Sequence, residues 1–349
     1  MTGTLILLLA GVAAVAAGEL LIRVFVQWRP RGIDPHACRL AEPPDLGFEF
    51  TPDNTFCHHY PRPRVRGGPW KQCYRINALG IRDRDDIAPS PEPGSVRLVC
   101  IGDSTTFGEG VAEGQSWPRR LEHYLRSAAG PGGNKIEVIN AGVAGYDLEK
   151  KLAFYRERCL GLNPHAVILG YTLNDPQRLI APRINSDGML GSGGIPAWQG
   201  CRQLVKTHSA LGSWGAHRWS ELFGGPRLLP TYAERSPDWI RAREQLRAFN
   251  TLSLERGVMP LVAILPAPFR LDGHHPYQPI YRILESFLEN EGIAHANLFP
   301  AIRGQRKRKM IICSCDFHYS AAAYDRFAAA LNRELDSRKP FRELLRRPA

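Results

Sequence analysis

Four short segments carry side chains of the types that acyl transfer needs. The first, Ile101-Gly102-Asp103-Ser104-Thr105-Thr106-Phe107-Gly108, places a hydroxyl where an apolar run gives way to a loop. A serine at such a point stands above the end of a buried strand, where a nucleophile can meet a substrate. Taken alone, Gly-Asp-Ser also reads as a turn in which Asp103 and Ser104 cap backbone amides. The second segment is Asn140-Ala141-Gly142-Val143-Ala144-Gly145, the third Gly170-Tyr171-Thr172-Leu173-Asn174-Asp175, and the fourth Asp316-Phe317-His318. Acyl transfer requires a nucleophile, a base for its proton, and donors aimed at the developing oxyanion. Ser104, His318 and Asn174 are of those types, each at the end of its own predicted strand or at the start of the last helix. Alone, Asn174-Asp175-Pro176 is equally a turn, and His318 a helix cap; the conjunction of four segments on one side of a sheet is what points to a site.

In this order the four segments resemble the SGNH (GDSL-like) hydrolases over roughly residues 95–335. The resemblance implies Ser104 as nucleophile, His318 as base and Asp316 as the acid that orients it. It implies an oxyanion hole from the Ser104 N–H, the Gly145 N–H and Asn174, with Gly142 as the other glycine candidate. The implied activity is that of a serine esterase or deacylase acting on O-acyl, in the first place O-acetyl, esters of cell-envelope glycan or lipid. Similar proteins include O-acetyltransferases, so an O-acyltransferase built from the same residues is an alternative. Another is a non-catalytic module in polysaccharide assembly or secretion. No metal or organic cofactor enters such a mechanism. Two departures stand out: the family places Asp three residues before His, where this chain has Cys315, and three residues separate Gly170 from Asn174. Either Asp316 reaches His318 from its shorter spacing, or a backbone carbonyl orients the ring and the pair works as a Ser/His dyad.

The elements that must position these residues are legible from Val96 onward. Apolar runs at 96–102, 136–141, 166–171, 260–266 and 293–298 alternate with amphipathic helices, the pattern of a parallel sheet covered on both faces. Helices are predicted near 117–127, 148–160, 238–256, 279–291 and 321–336, with N-cap residues before the first two and Gly257 and Gly292 ending the third and fourth. The expected fold is a three-layer α/β/α, flavodoxin-like SGNH fold with about five parallel strands. An insertion at about 177–237, rich in Gly, Pro and Trp, is expected to cap the carboxyl ends of the strands. Trp198, Trp214 and Trp219 within it suit either a ligand wall or the core of the cap.

Before this domain, residues 4–18 are uncharged and the apolar character resumes after Glu19, so segment 1–28 reads as a membrane anchor, with a cleaved signal as the alternative. Glu19 can pair with Arg23 one turn on. Arg23, Arg29 and Arg31 follow the segment, which favours a cytoplasmic body. Eight cysteines, with Cys57/Cys73 and Cys313/Cys315 as pairable sets, favour an oxidising, extracytoplasmic one. The expected location is membrane-anchored with the domain outside the cytoplasm. Residues 29–94 read as an irregular lead-in packed on the main domain at 95–338, and 339–349 as a basic tail. His58-His59 and His274-His275 are expected at the surface. Forty-five Lys and Arg against 34 Asp and Glu give a formal charge of +11. The one dense run, Arg303 to Lys309, lacks interleaved aromatics, so nucleic-acid binding is not expected. No Cys-x-x-Cys spacing supports a zinc site. The expected partners are an acylated carbohydrate or lipid and the membrane.

Overall fold

Each of the five apolar runs forms a strand of one parallel sheet. In the computed structural model these are β1 (Ser95–Gly102), β2 (Lys135–Gly142), β3 (Ala166–Thr172), β4 (Met259–Leu265) and β5 (His295–Asn297), in spatial order β2-β1-β3-β4-β5. The structure describes residues 2–26, 32–33, 37–60, 71–85, 87–129, 135–178, 183–184, 190–191, 209–212, 214–215, 228–271, 275–313 and 316–346. β1 and β3 are buried at every position, as strands must be when both faces of the sheet are covered.

One face carries α3 (Trp117–Ala129) and α7 (Ala321–Ser337); the other carries α4 (Leu148–Phe154), α5 (Pro237–Glu255) and α6 (Gln278–Asn290). α3 presents Trp117, Leu121 and Leu125 inward, and α7 presents Tyr324, Phe327, Leu331 and Leu335. The run expected as one helix at 148–160 is α-helical only to Phe154 and continues as a wider turn, Tyr155–Cys159. This is the three-layer, flavodoxin-like arrangement.

The lead-in is more ordered than its composition suggests. Gly32–Ile33, Thr55–His59 and Lys71–Arg75 form an antiparallel sheet in which Cys57 lies opposite Cys73, and the two are disulfide-bonded. Phe50, Phe56 and Tyr74 close around Phe107, within the first chemical segment and three residues after Ser104. Arg82, 2% exposed, donates to the carbonyls of Phe107 (3.0 Å), Gly108 (2.7 Å) and Val111 (2.7 Å), with its guanidinium 4.6 Å from the Tyr74 ring centre. Such a cation holds the loop after Ser104 by hydrogen bonds that no apolar side chain can supply. Arg82→Met should take the guanidinium donors from three buried carbonyls, of which Phe107 and Gly108 keep only longer bonds from Asn140 Nδ2 (3.2 Å) and the Val111 N–H (3.3 Å), costing about 2 kcal/mol; a urea midpoint within error of wild type would refute this role.

The last segment departs from the expected tail. Phe341, Leu344 and Leu345 recur at helical spacing, and Lys339–Leu345 folds as a helix, α8, that buries them against the core. At the other end α1 (Thr2–Leu21) is long and apolar enough, with the turn after it, to cross a membrane: Ile6–Phe25 has mean hydropathy 2.0. Glu19 pairs with Arg23 at 2.6 Å as expected and also accepts the N–H groups of Ala210 (2.8 Å) and Leu211 (2.9 Å). Much of the insertion, including Trp198, Trp219 and Cys201, lies outside the described residues. Trp214 packs beside Ile22 and Ala210, away from the sheet.

Candidate active site

In a sheet ordered 2-1-3-4-5 the chain leaves β1 and β3 in opposite directions, opening a crevice at their carboxyl ends. A cavity of about 420 Å³ lies there, with Ser104, Asn174, Asp316 and His318 among its lining and Leu173, Leu265, Pro266, Pro268 and Phe269 as apolar wall. Ser104 opens a single helical turn, α2 (Ser104–Phe107), whose N-cap Asp103 accepts the Thr105 N–H at 2.8 Å. The turn fits tightly between its strands. A Cβ on Gly102 or Gly170 would fall 2.0 or 2.2 Å from Thr106 Oγ1, so only glycine lets β1 and β3 close on it.

His318 comes from a short hairpin that precedes α7. Asp316–Tyr319 is a strand paired antiparallel with Ile311–Cys313, not the opening of α7, which begins after the N-cap Ser320. That difference accounts for the unusual spacing, because residues i and i+2 of a strand share a face. Asp316 Oδ1 lies 2.5 Å from His318 Nδ1 and also accepts the His318 main-chain N–H at 2.9 Å. His318 Nε2 is 2.7 Å from Ser104 Oγ. With Asp316 ionised, the ring proton belongs on Nδ1, which leaves Nε2 to accept the Ser104 O–H. A hydroxyl held in this way can be deprotonated as it attacks a carbonyl. Cys315, at the usual Asp position, lies outside the described residues.

The glycines of the second segment separate. Gly142 is pressed against α2, and its N–H donates to Asn140 Oδ1 at 3.1 Å, so that donor is taken. Gly145 adopts a left-handed φ of 85° in the exposed turn beyond and is not among the residues lining the cavity. Asn174 does line it.

Glu109, His58 and Lys151, charged or titratable residues in or beside the site, were not placed there by the sequence reading. Glu109, 3% exposed, places Oε2 3.5 Å from His318 Nε2, and its Oε1 lies 3.1 Å from His58 Nδ1. His58 was expected at the surface with His59; strand alternation turns His58 inward, to 4% exposure, and His59 outward. His275 is also buried, against Tyr281 and Phe299, and its burial pushes its pKa down to about 4; His274 lies outside the described residues. By distance alone Glu109, Asp316 and His318 could hold a cation, but Ser104 and Asp316 already engage both ring nitrogens of His318.

The third is Lys151, fully buried between Asp103 and Asp175. Burial, only partly offset by Lys151, pushes the Asp175 carboxyl up to about 7. Asp103, although buried too, is held below its ordinary value by Lys151, Thr172 and the Thr105 N–H. Thr172 Oγ1 sits 2.5 Å from Asp103 and 2.8 Å from Asp175, and its single hydrogen suits one ionised and one protonated carboxyl. The unfolded chain releases the Asp175 proton near its ordinary value of 3.8, the folded chain near 7. Stability from this group is therefore full at low pH and falls as pH rises through that window, by at most about 1.4 kcal/mol per pH unit. Asp175→Asn should flatten the fall between pH 4 and 7 in urea titrations; an unchanged slope would count against the raised carboxyl.

No protein-family model matches the chain, and no curated protein does. Solved structures similar to it include a G-D-S-L family lipolytic protein from Desulfitobacterium hafniense, 16% identical with a TM-score of 0.39 over 69% of this chain and 99% of that one. A lipase/acylhydrolase from Enterococcus faecalis is 17% identical, with a TM-score of 0.41 over 69% and 96%. An acetyl-xylooligosaccharide esterase from Geobacillus Stearmophilus is 17% identical, with a TM-score of 0.41 over 69% and 94%. In the order of its four segments, and in where its own sheet places three of them around one cavity, this chain is similar to the SGNH (GDSL-like) hydrolases.

Proposed function

We propose that this chain is a membrane-anchored serine esterase that removes O-acyl groups, O-acetyl in the first place, from cell-envelope glycan or lipid. The observation that carries this reading is the hydrogen-bonded row Ser104 Oγ, His318 Nε2, His318 Nδ1, Asp316 Oδ1 at the cavity. Ser104 Oγ attacks the ester carbonyl while His318 Nε2 takes its proton, and Asp316 stabilises the imidazolium. The oxyanion accepts hydrogen bonds from Asn174 and from the Ser104 N–H, a first-turn amide with no intrahelical acceptor. Gly145, the third donor that the family resemblance implies, does not line the cavity and is given no step here. Collapse expels the alcohol, which takes the proton from His318. Water then attacks acyl-Ser104 with His318 again as base, releasing the acid. The apolar wall suits an acyl group, with the acceptor alcohol toward solvent.

The apolar α1 supports anchoring, and the Cys57–Cys73 disulfide supports a body on the oxidising side of the membrane. The test is labelling of the detergent-solubilised chain with a fluorophosphonate, followed by release of acetate from O-acetylated glycans and p-nitrophenyl acetate. Stoichiometric labelling with acetate release is the expected result. Transfer of acetyl to an added glycan in place of release would redirect the reading to an acyltransferase, and an unlabelled chain would sink both.

A further inference from the structure

Bonded to the residues that adjoin Ser104 and Asn174 sits a cation that the acyl-transfer chemistry does not use. Lys151 projects from α4 and is fully buried, with Nζ donating to Asp175 Oδ1 at 2.6 Å and Oδ2 at 2.8 Å, to Asp103 Oδ2 at 3.2 Å and to the Gly170 carbonyl at 3.0 Å. Burial works against its charge, and the interactions with Asp103 and Asp175 more than offset that, so the ammonium stays protonated. A well-packed apolar side chain often serves stability as well as a buried ion pair does. The reason for a lysine here is then to be sought in what it holds apart and together.

Both of its partners adjoin chemical residues. Asp103 immediately precedes Ser104 and caps the turn that Ser104 opens. Asp175 immediately follows Asn174 and closes the Asn174 turn, its N–H bonded to the Thr172 carbonyl at 2.9 Å and its Oδ2 accepting the Thr172 N–H at 3.2 Å. Thr172 Oγ1 lies within 2.8 Å of both carboxyls, so the two turns share a hydroxyl as well as the ammonium. Gly170, whose carbonyl takes the remaining bond, lies on β3 between them and α2.

We propose that Lys151 is a positioning residue of the acyl-transfer site: it fixes the Ser104 hydroxyl relative to the Asn174 amide by clamping the residue before one and the residue after the other. This inference rests on the acyl-Ser104 reading above. It explains why the cation bonds both carboxyl groups, where a simple buried pair needs one. A displacement of about 1 Å between reacting groups is enough to lower a rate on the order of 100-fold.

The test uses the full-length chain in detergent and two readouts from one fluorophosphonate time course, the rate constant of labelling and the final label per chain, together with kcat and KM for p-nitrophenyl acetate. For Lys151→Met the expected result is wild-type final labelling, with labelling rate and kcat both down about 100-fold and KM within about twofold. Final labelling well below one per chain at the wild-type rate would mean that Lys151 only keeps the protein folded, and wild-type kcat would mean that it does nothing for the site; either overturns the proposal. Should Lys151→Met fail to fold, Asp175→Asn carries the test, because it keeps the Lys151–Asp103 pair and loosens the clamp on the Asn174 side alone. The expected result is then the same split at about a tenfold loss in kcat, and an unchanged kcat is again fatal. A wild-type chain that takes no label would overturn the acyl-transfer reading itself, a result separable from any behaviour of the variants.

Discussion

Ser104→Ala and His318→Ala should each abolish fluorophosphonate labelling and lower kcat for acetyl esters on the order of 10⁶-fold. The argument is geometric. Ser104 Oγ and His318 Nε2 are 2.7 Å apart, and removing either atom removes the same event, transfer of the hydroxyl proton during attack. The two losses should therefore not add: the double variant should be no slower than the single ones, within a few fold. KM should change little, since the cavity wall of Leu173, Leu265 and Phe269 is untouched. Rates that multiply in the double variant would mean that the two residues act in separate steps. Retention of labelling in Ser104→Ala would place the nucleophile elsewhere. The outcome also separates an enzyme from a non-catalytic module, because an inert serine gives no labelled state to lose.

The periodicity of the sequence carried the sheet and its helices because burial on both faces writes itself as unbroken apolar runs, as in Leu98–Gly102 and Ala166–Tyr171, and burial on one face writes itself as stripes, as in α7. It pointed to Ser104 as a candidate because an apolar run ends there, whereas His318, expected at the opening of the last helix, lies within a strand of the hairpin before it. It did not carry Lys151 or Glu109. A lysine within Leu148-Glu149-Lys150-Lys151 looks like the solvated side of a helix, and only the position of β1 and β3 shows that this turn of α4 faces two buried carboxyls. Glu109 owes its place to the lead-in sheet, whose strands fall in a Pro- and Arg-rich stretch with little alternation. His58 likewise depended on which of two adjacent histidines the strand register turns inward. The basic tail was misread for a related reason: three apolar residues among five charged ones are a weak stripe, yet enough to dock one short helix.

Asp316→Asn should lower kcat about 10⁴-fold while leaving labelling detectable at long times. Asp316 Oδ1 takes the His318 main-chain N–H at 2.9 Å and also faces Nδ1, so an Asn that turns its amide nitrogen to Nδ1 gives up the main-chain bond, and the pairing with Ile311–Cys313 is left to hold the strand. What changes is the partner of Nδ1. An Asn that donates its N–H to Nδ1 forces the ring proton onto Nε2, and a protonated Nε2 cannot accept from Ser104. Asp316→Ala tests the other half of the function, since it removes the support of the imidazolium but leaves either tautomer open. It should therefore be less damaging than Asp316→Asn, the reverse of what loss of packing or of a hydrogen bond alone would give. Were the site a dyad with the ring held by a backbone carbonyl, both variants would stay within about tenfold of wild type and in no particular order. The two-residue spacing from Asp316 to His318 works only while the segment remains a strand, because it is the shared face of i and i+2 that brings Oδ1 to Nδ1. The hairpin with Ile311–Cys313 is therefore as much a part of the proposed triad as the carboxylate it presents.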